Sequence, residues 1–232
     1  MTRPAAERLS AAVGPGRPSP QNCLLLFAAA GFVFHQLPAF AGEPAGDVID
    51  LLTPFALVGA AALALVSLQA RGWILVAAFV AAILYVDGHG IHLSANSIGN
   101  ESDALQDEDI VHFWDEIFSH IESVIGWFGL IACICWAERR PGAPAGAQTS
   151  TRVVVLTALL LGWTFFTSTV EGGTWFIELA ATAAFCFWLW RDGRERPLLL
   201  ASTAAFVLAA VMIGGYAIWQ GGVPQFTDAG LL

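Results

Sequence analysis

Long apolar runs broken by short polar turns set the pattern of this chain. Seven stretches, about 23–40, 48–70, 72–93, 109–137, 152–169, 174–190 and 197–220, are apolar over most of their length. A helix needs about 20 apolar residues to cross the hydrocarbon core of a bilayer, so each run has or approaches the length of a span. The pattern predicts an all-α fold, a polytopic bundle of seven transmembrane helices. Residues 1–21 show no periodicity and are rich in Pro, Ala and Gly, which reads as a disordered tail. Residues 222–232 form a short tail after the last span. The first run ends in Ala39-Phe40-Ala41, which would suit a signal-peptidase site. Its leader is long for a signal peptide, so the run is read as a retained span.

One run departs from the pattern. Between Asp109 and Ser123 the chain reads DIVHFWDEIFSHIES. On a helix, His112, Asp115, Glu116, Ser119, His120 and Ser123 fall at i, i+3, i+4, i+7, i+8 and i+11, one continuous polar stripe. Ile110, Phe113, Trp114, Ile117, Phe118 and Ile121 occupy the other side. The third run ends in a second polar cluster, Tyr85-Val-Asp-Gly-His-Gly-Ile-His-Leu-Ser-Ala-Asn96, where His89, His92 and Asn96 share a face. Asp87 points elsewhere on a regular helix. Gly88 and Gly90 are expected to relax the backbone there and swing Asp87 toward the histidines.

Composition strengthens the membrane reading. Hydrophobic residues make up 56% of the chain and charged ones 12%, and the mean hydropathy is +0.66. Soluble domains carry about a quarter charged residues. A net charge of −9 and the complete lack of lysine leave no basic surface for nucleic acid. With the amino terminus inside, all ten arginines fall on the cytoplasmic side and fifteen of the nineteen acids on the other. That distribution obeys the positive-inside rule and puts the carboxyl terminus outside. The Ala-rich, lysine-free composition points to a bacterial cytoplasmic membrane. Cys23, Cys133, Cys135 and Cys186 all fall in the inner halves of their spans and read as buried apolar thiols.

Depth then concentrates the chemistry. At about 1.5 Å per residue from the cytoplasmic end, Asp87 lies roughly 21 Å out, His89 roughly 24 Å, His92 roughly 28 Å and His120 roughly 25 Å. Ionisable groups at such depth are costly and mark candidate functional sites. His89, His92, His112 and His120 are the candidate metal ligands, and Glu116, Asp87, Asp115 and Ser119 the candidate catalytic groups. His35 is read as a hydrogen-bonded interfacial residue, and Glu171 as part of the turn after the fifth span. Glu178 is harder to set aside, because it lies within WFIELAATAAF and needs a partner.

Two metal arrangements fit the spacing. In one, His89, His92 and His120 hold a single ion, with Glu116 as ligand or base and His112 at the entrance. In the other, Glu116 bridges two ions about 3.5–4 Å apart. Three protein nitrogens and one open position suit catalytic zinc, while the carboxylates leave iron or manganese open. A polar network serving only packing is the plainer alternative. Seven spans with Asp87, His89, His92, Ser119 and His120 clustered toward one side resemble the CREST superfamily of alkaline ceramidases and progestin and adipoQ receptors. That resemblance implies zinc-dependent hydrolysis of a lipid amide or ester. The family's paired-histidine motif on its last span has no counterpart in 197–220. The expected function is a membrane-embedded, metal-dependent hydrolase of a lipid amide or ester at the outer leaflet. A divalent-cation binding or transport protein is the alternative, followed by a haem-binding electron-transfer protein.

Overall fold

The computed structural model describes residues 19–41, 45–101, 109–140, 150–192 and 196–231. Every regular element in them is helical. In chain order these are α1 (Pro20–Gln36), α2 (Pro38–Ala41), α3 (Ala45–Ser67), α4 (Trp73–Glu101), α5 (Asp109–His112), a π-helical segment (Phe113–Ser119), α6 (His120–Glu138), α7 (Thr151–Glu171), α8 (Trp175–Asp192) and α9 (Pro197–Gln220). The side chains of His112 and Glu116 lie outside the described set.

Among the described residues, five helical stretches are long and apolar enough to cross a membrane: Ala45–Ser67, Trp73–Ala95, Phe113–Glu138, Thr151–Glu171 and Pro197–Gln220. Helices of this length and composition, in an all-α fold, are consistent with an integral membrane protein. The other two expected spans coincide with α1 and α8. Helix α1 has only 17 residues, because Pro38 follows and the chain restarts as α2. Helix α8 has 18 residues and carries Glu178, Arg191 and Asp192 among them.

Packing follows the apolar runs. Helix α4 lies along α6, α9 along α7, and α1 against both α3 and α7. Phe27, Leu57, Ile131, Phe165 and Phe206 are fully enclosed at the centre. Phe165, Phe128 and Phe185 surround Phe206 with ring centroids 4.8, 4.8 and 4.4 Å away, the separations at which aromatic pairs attract beyond simple burial. The α4–α6 crossing is close because it is built on glycine. A Cβ on Gly126 would stand 2.3 Å from the Tyr85 backbone nitrogen, and one on Gly88 would stand 2.6 Å from Ser119 O and Ser123 Oγ.

That contact corrects the expected role of Gly88. Helix α4 runs unbroken from Trp73 to Glu101, so the backbone does not unwind at Gly88 or Gly90. The irregular winding lies across the crossing instead, in the π-helical segment of the facing chain.

One end of the bundle is tied by arginines and acids. Glu138 accepts from the Leu198 and Leu199 amides at 3.0 and 3.2 Å, capping the start of α9 from another helix. Arg139 pairs with Asp192 at 2.9 Å, and Arg140 donates to the Gln69 carbonyl at 2.9 Å. The histidines collect at the opposite end.

Candidate functional site

A cavity of about 630 Å³ opens among α1, α3, α4, α6, α7 and the carboxyl-terminal residues. Its polar wall holds His35, Asp50, His89, His92, His120, Ser168 and Glu171, and its apolar wall includes Phe40, Trp127, Trp163, Phe166 and Phe226. Four of the five histidines therefore face one space.

His89 and His92 stand one turn apart on α4 and meet different partners. The His89 Nε2–H donates to the Asp50 carbonyl at 2.8 Å and lies 3.3 Å from that residue's carboxylate. The carbonyl needs an outside donor because Pro54, four residues on, sits inside α3 and has no N–H to give it. His89 thus repairs the gap that a proline leaves in α3. Its ring stacks on Tyr85 with centroids 6.0 Å apart.

His92 is held from the other side. Its Nδ1 lies 2.6 Å from Asp115 Oδ1, a short charge-assisted contact that places the proton on Nδ1 in the neutral ring and leaves Nε2 the basic nitrogen. Asp115 comes from the π-helical segment, whose widened turns carry it to α4. The ring of His120, the first residue of α6, lies 4.8 Å from that of His92, centroid to centroid, while His89 stands 6.5 Å from His92. Behind His120 is Gly172, where a Cβ would come within 2.8 Å of the imidazole Cγ. Only glycine leaves His120 this position.

The remaining expected residues separate into groups. Ser119 is fully buried and its hydroxyl donates to the Asp115 carbonyl, so it steadies the π-helical segment and does not line the cavity. Asp87 lies on the far side of α4, exposed and facing a different groove, as a straight helix demands. Glu178 is fully buried beside Thr182 and also lies away from the cavity. The expected positions of Glu116 and His112 fall outside the described side chains.

Three residues that sequence reasoning set aside or passed over do line the cavity. His35 Nε2 lies 2.8 Å from Ser168 Oγ, a contact between α1 and α7. Asp50 holds His89, and Pro54 four residues later is the signal that its carbonyl would need a donor. Glu171 is a strap point: its carboxylate accepts from the Phe226 amide at 2.8 Å and from the Thr227 hydroxyl, while Gln225 donates to its carbonyl. This folds 223–231 back over the cavity, with Phe226 packed against Phe166 and Tyr216 at 5.4 and 5.1 Å.

Among the described residues, no three His, Cys, Asp or Glu side chains are grouped closely enough to hold a metal ion. The nearest two imidazole rings among the described residues are those of His92 and His120, 4.8 Å apart between centroids. Two imidazoles on one tetrahedral ion, at metal–nitrogen lengths of about 2.0–2.1 Å, bring their ring centroids to roughly 5 Å. Neither protein-family models nor curated proteins nor solved structures offer a match to this chain.

Proposed function

We propose that this protein is a seven-span membrane enzyme, a metal-dependent hydrolase of a lipid amide or ester, with the histidine cavity as its active site. In this reading α1 and α8 complete the seven spans, the arginine end faces the cytoplasm, and the cavity opens to the periplasm of a bacterial inner membrane. The one-sided arginines support that orientation.

The observation that carries the hydrolase reading is the row Asp115–His92–His120, whose two imidazoles line a largely apolar cavity. A carboxylate behind an imidazole is the usual outer partner of a metal-ligating histidine, since it fixes the tautomer and raises the basicity of the other nitrogen. His92 and His120 would hold the ion, zinc by preference. A bound zinc would supply Lewis-acid polarisation of a carbonyl and a water acidic enough to ionise near neutral pH. The chain's own residues do the rest. Asp115 keeps His92 oriented, and Gly172 admits the ring of His120. Phe40, Trp163, Phe166 and Phe226 offer an apolar wall to an acyl chain. Trp127 lines the same cavity, and its buried Nε1–H has no hydrogen-bond partner among the described residues, which suits a donor to a substrate carbonyl. A cation transporter would need polar groups continuing toward the arginine end, where Leu24, Phe27, Ile131 and Ile134 close the core. The CREST resemblance agrees with the chemistry, although α9 contributes no histidine.

The test is metal analysis of the purified full chain, followed by turnover of fluorogenic ceramide-type amides and glycerolipid esters. About one equivalent of bound metal, lost in His120→Ala together with turnover, is the expected result. A metal-free protein that stays metal-free after incubation with zinc, iron or manganese overturns the reading. Reporter fusions at Gly142 and Asp103 should report opposite compartments, and the same compartment for both overturns the topology.

A further inference from the structure

A second concave surface among the described residues is separate from the histidine cavity. It is an apolar groove of about 960 Å³ on the outer side of α4, bounded by α3 and by the start of the α5 and π-helical stretch. Val58, Phe79, Ile83, Val86, Ile91 and Trp114 make its walls. Phe79, Ile83 and Val86 are 66%, 48% and 47% exposed, which places this face toward lipid. Within it stands one ionisable group, Asp87, exposed and with no hydrogen-bond or ion-pair partner among the described residues. Gly90 and Ser94 follow it up the same face, with open space over Gly90.

A carboxylate facing hydrocarbon calls for a cation or a strong donor, and the described residues offer none there. Arg71 precedes α4 by two residues, and Asp87 is fourteen residues up that helix, about 21 Å away along the axis. Arg139 and Arg140 end α6 at the same remote level. Glu122, on the neighbouring helix, stands within electrostatic reach of Asp87 and, being an acid, offers it no positive charge. A second copy of the chain packed in parallel on this face would bring another Asp87, and its arginines would lie at the wrong depth. Self-association therefore leaves the charge unmet.

We propose that the groove is a binding site for an amphiphile with a cationic amine head, the ammonium on Asp87 and the alkyl chain along Val86, Ile83 and Phe79. Eight residues separate Phe79 from Asp87, about 12 Å of apolar groove beneath the charge. Ser94 supplies an additional hydroxyl above it. The site lies on the opposite side of α4 from His89 and His92 and does not rest on the hydrolase reading.

The experiment is binding of dodecylamine, dodecanol and dodecanoate to the full chain in a neutral maltoside detergent, read by native mass spectrometry. Wild type should prefer the amine over the alcohol by roughly tenfold, the size of one charge-assisted hydrogen bond, with dodecanoate weakest. Asp87→Asn should erase the preference for amine over alcohol while metal content stays unchanged. Ile83→Trp, which fills the groove and leaves Asp87 in place, should weaken amine and alcohol together. Equal binding of amine and alcohol to wild type overturns the proposal, as does a preference that survives in Asp87→Asn. A polyleucine helix with one central lysine that binds the groove while dodecylamine does not would likewise overturn it, in favour of a protein partner.

Discussion

His89 and His92 differ by one helical turn and by the whole of their chemistry. The first donates to a backbone carbonyl that Pro54 has left without its helical partner. The second donates to a carboxylate and lies against another imidazole. A histidine that satisfies the backbone is committed to structure, because withdrawing it orphans a buried acceptor. A histidine backed by a carboxylate gains basicity at its second nitrogen. The α3 side of the cavity thus reads as scaffold and the α6 side as chemistry, although residue type and depth differ little between them.

Mutations can break that contrast, and the α6 side should respond most. Asp115→Asn should lower the affinity for zinc by about 10–100-fold, the usual effect of removing a carboxylate behind a ligating histidine. Isothermal titration of the metal-stripped protein measures it, and the thermal midpoint should hardly move. His89→Phe should do the reverse. Loss of the donor to the Asp50 carbonyl should cost about 1–3 kcal/mol of stability with zinc affinity unchanged, as denaturant titration in detergent micelles would reveal. Pro54→Ala restores an N–H four residues after Asp50 and should rescue part of that loss. The coupling between the two changes in a double-mutant cycle should be about 1 kcal/mol. The smallest effect belongs to Ser168→Ala, which removes a single neutral hydrogen bond to His35. It should cost about 0.5–1.5 kcal/mol and leave zinc affinity alone. Should His89→Phe abolish zinc binding, the division of labour on α4 is wrong.

The helices were legible because arginines and turns bracket each apolar run. The run at 48–70 becomes Ala45–Ser67, that at 174–190 becomes Trp175–Asp192, and that at 197–220 becomes Pro197–Gln220 without change. Depth arithmetic also brought His89, His92 and His120 to one level, and all three line one cavity. The failures have identifiable causes. A stripe counted at 3.6 residues per turn cannot anticipate a π-helical segment, and that segment decides what Asp115 and Ser119 face. Gly88 was read for its backbone freedom, whereas its missing side chain is what lets α6 approach. His35 has no spacing partner in its own helix; its partner, Ser168, is 133 residues away, beyond any periodicity. The Asp50–Pro54 pair could have been read, since a proline four residues after a residue in an apolar run always leaves that residue's carbonyl open.

The strap from Glu171 to Phe226 and Thr227 bears on how the site comes into being during synthesis. His35 stands on the first long helix and Phe226 beyond the last, yet both line the same cavity. A ribosome delivers them roughly 190 residues apart, so helices already inserted in the bilayer must wait for the final stretch before the roof can close. No partly made chain carries the finished cavity. The imidazoles of the cavity are enclosed only after every helix they depend on is already in place.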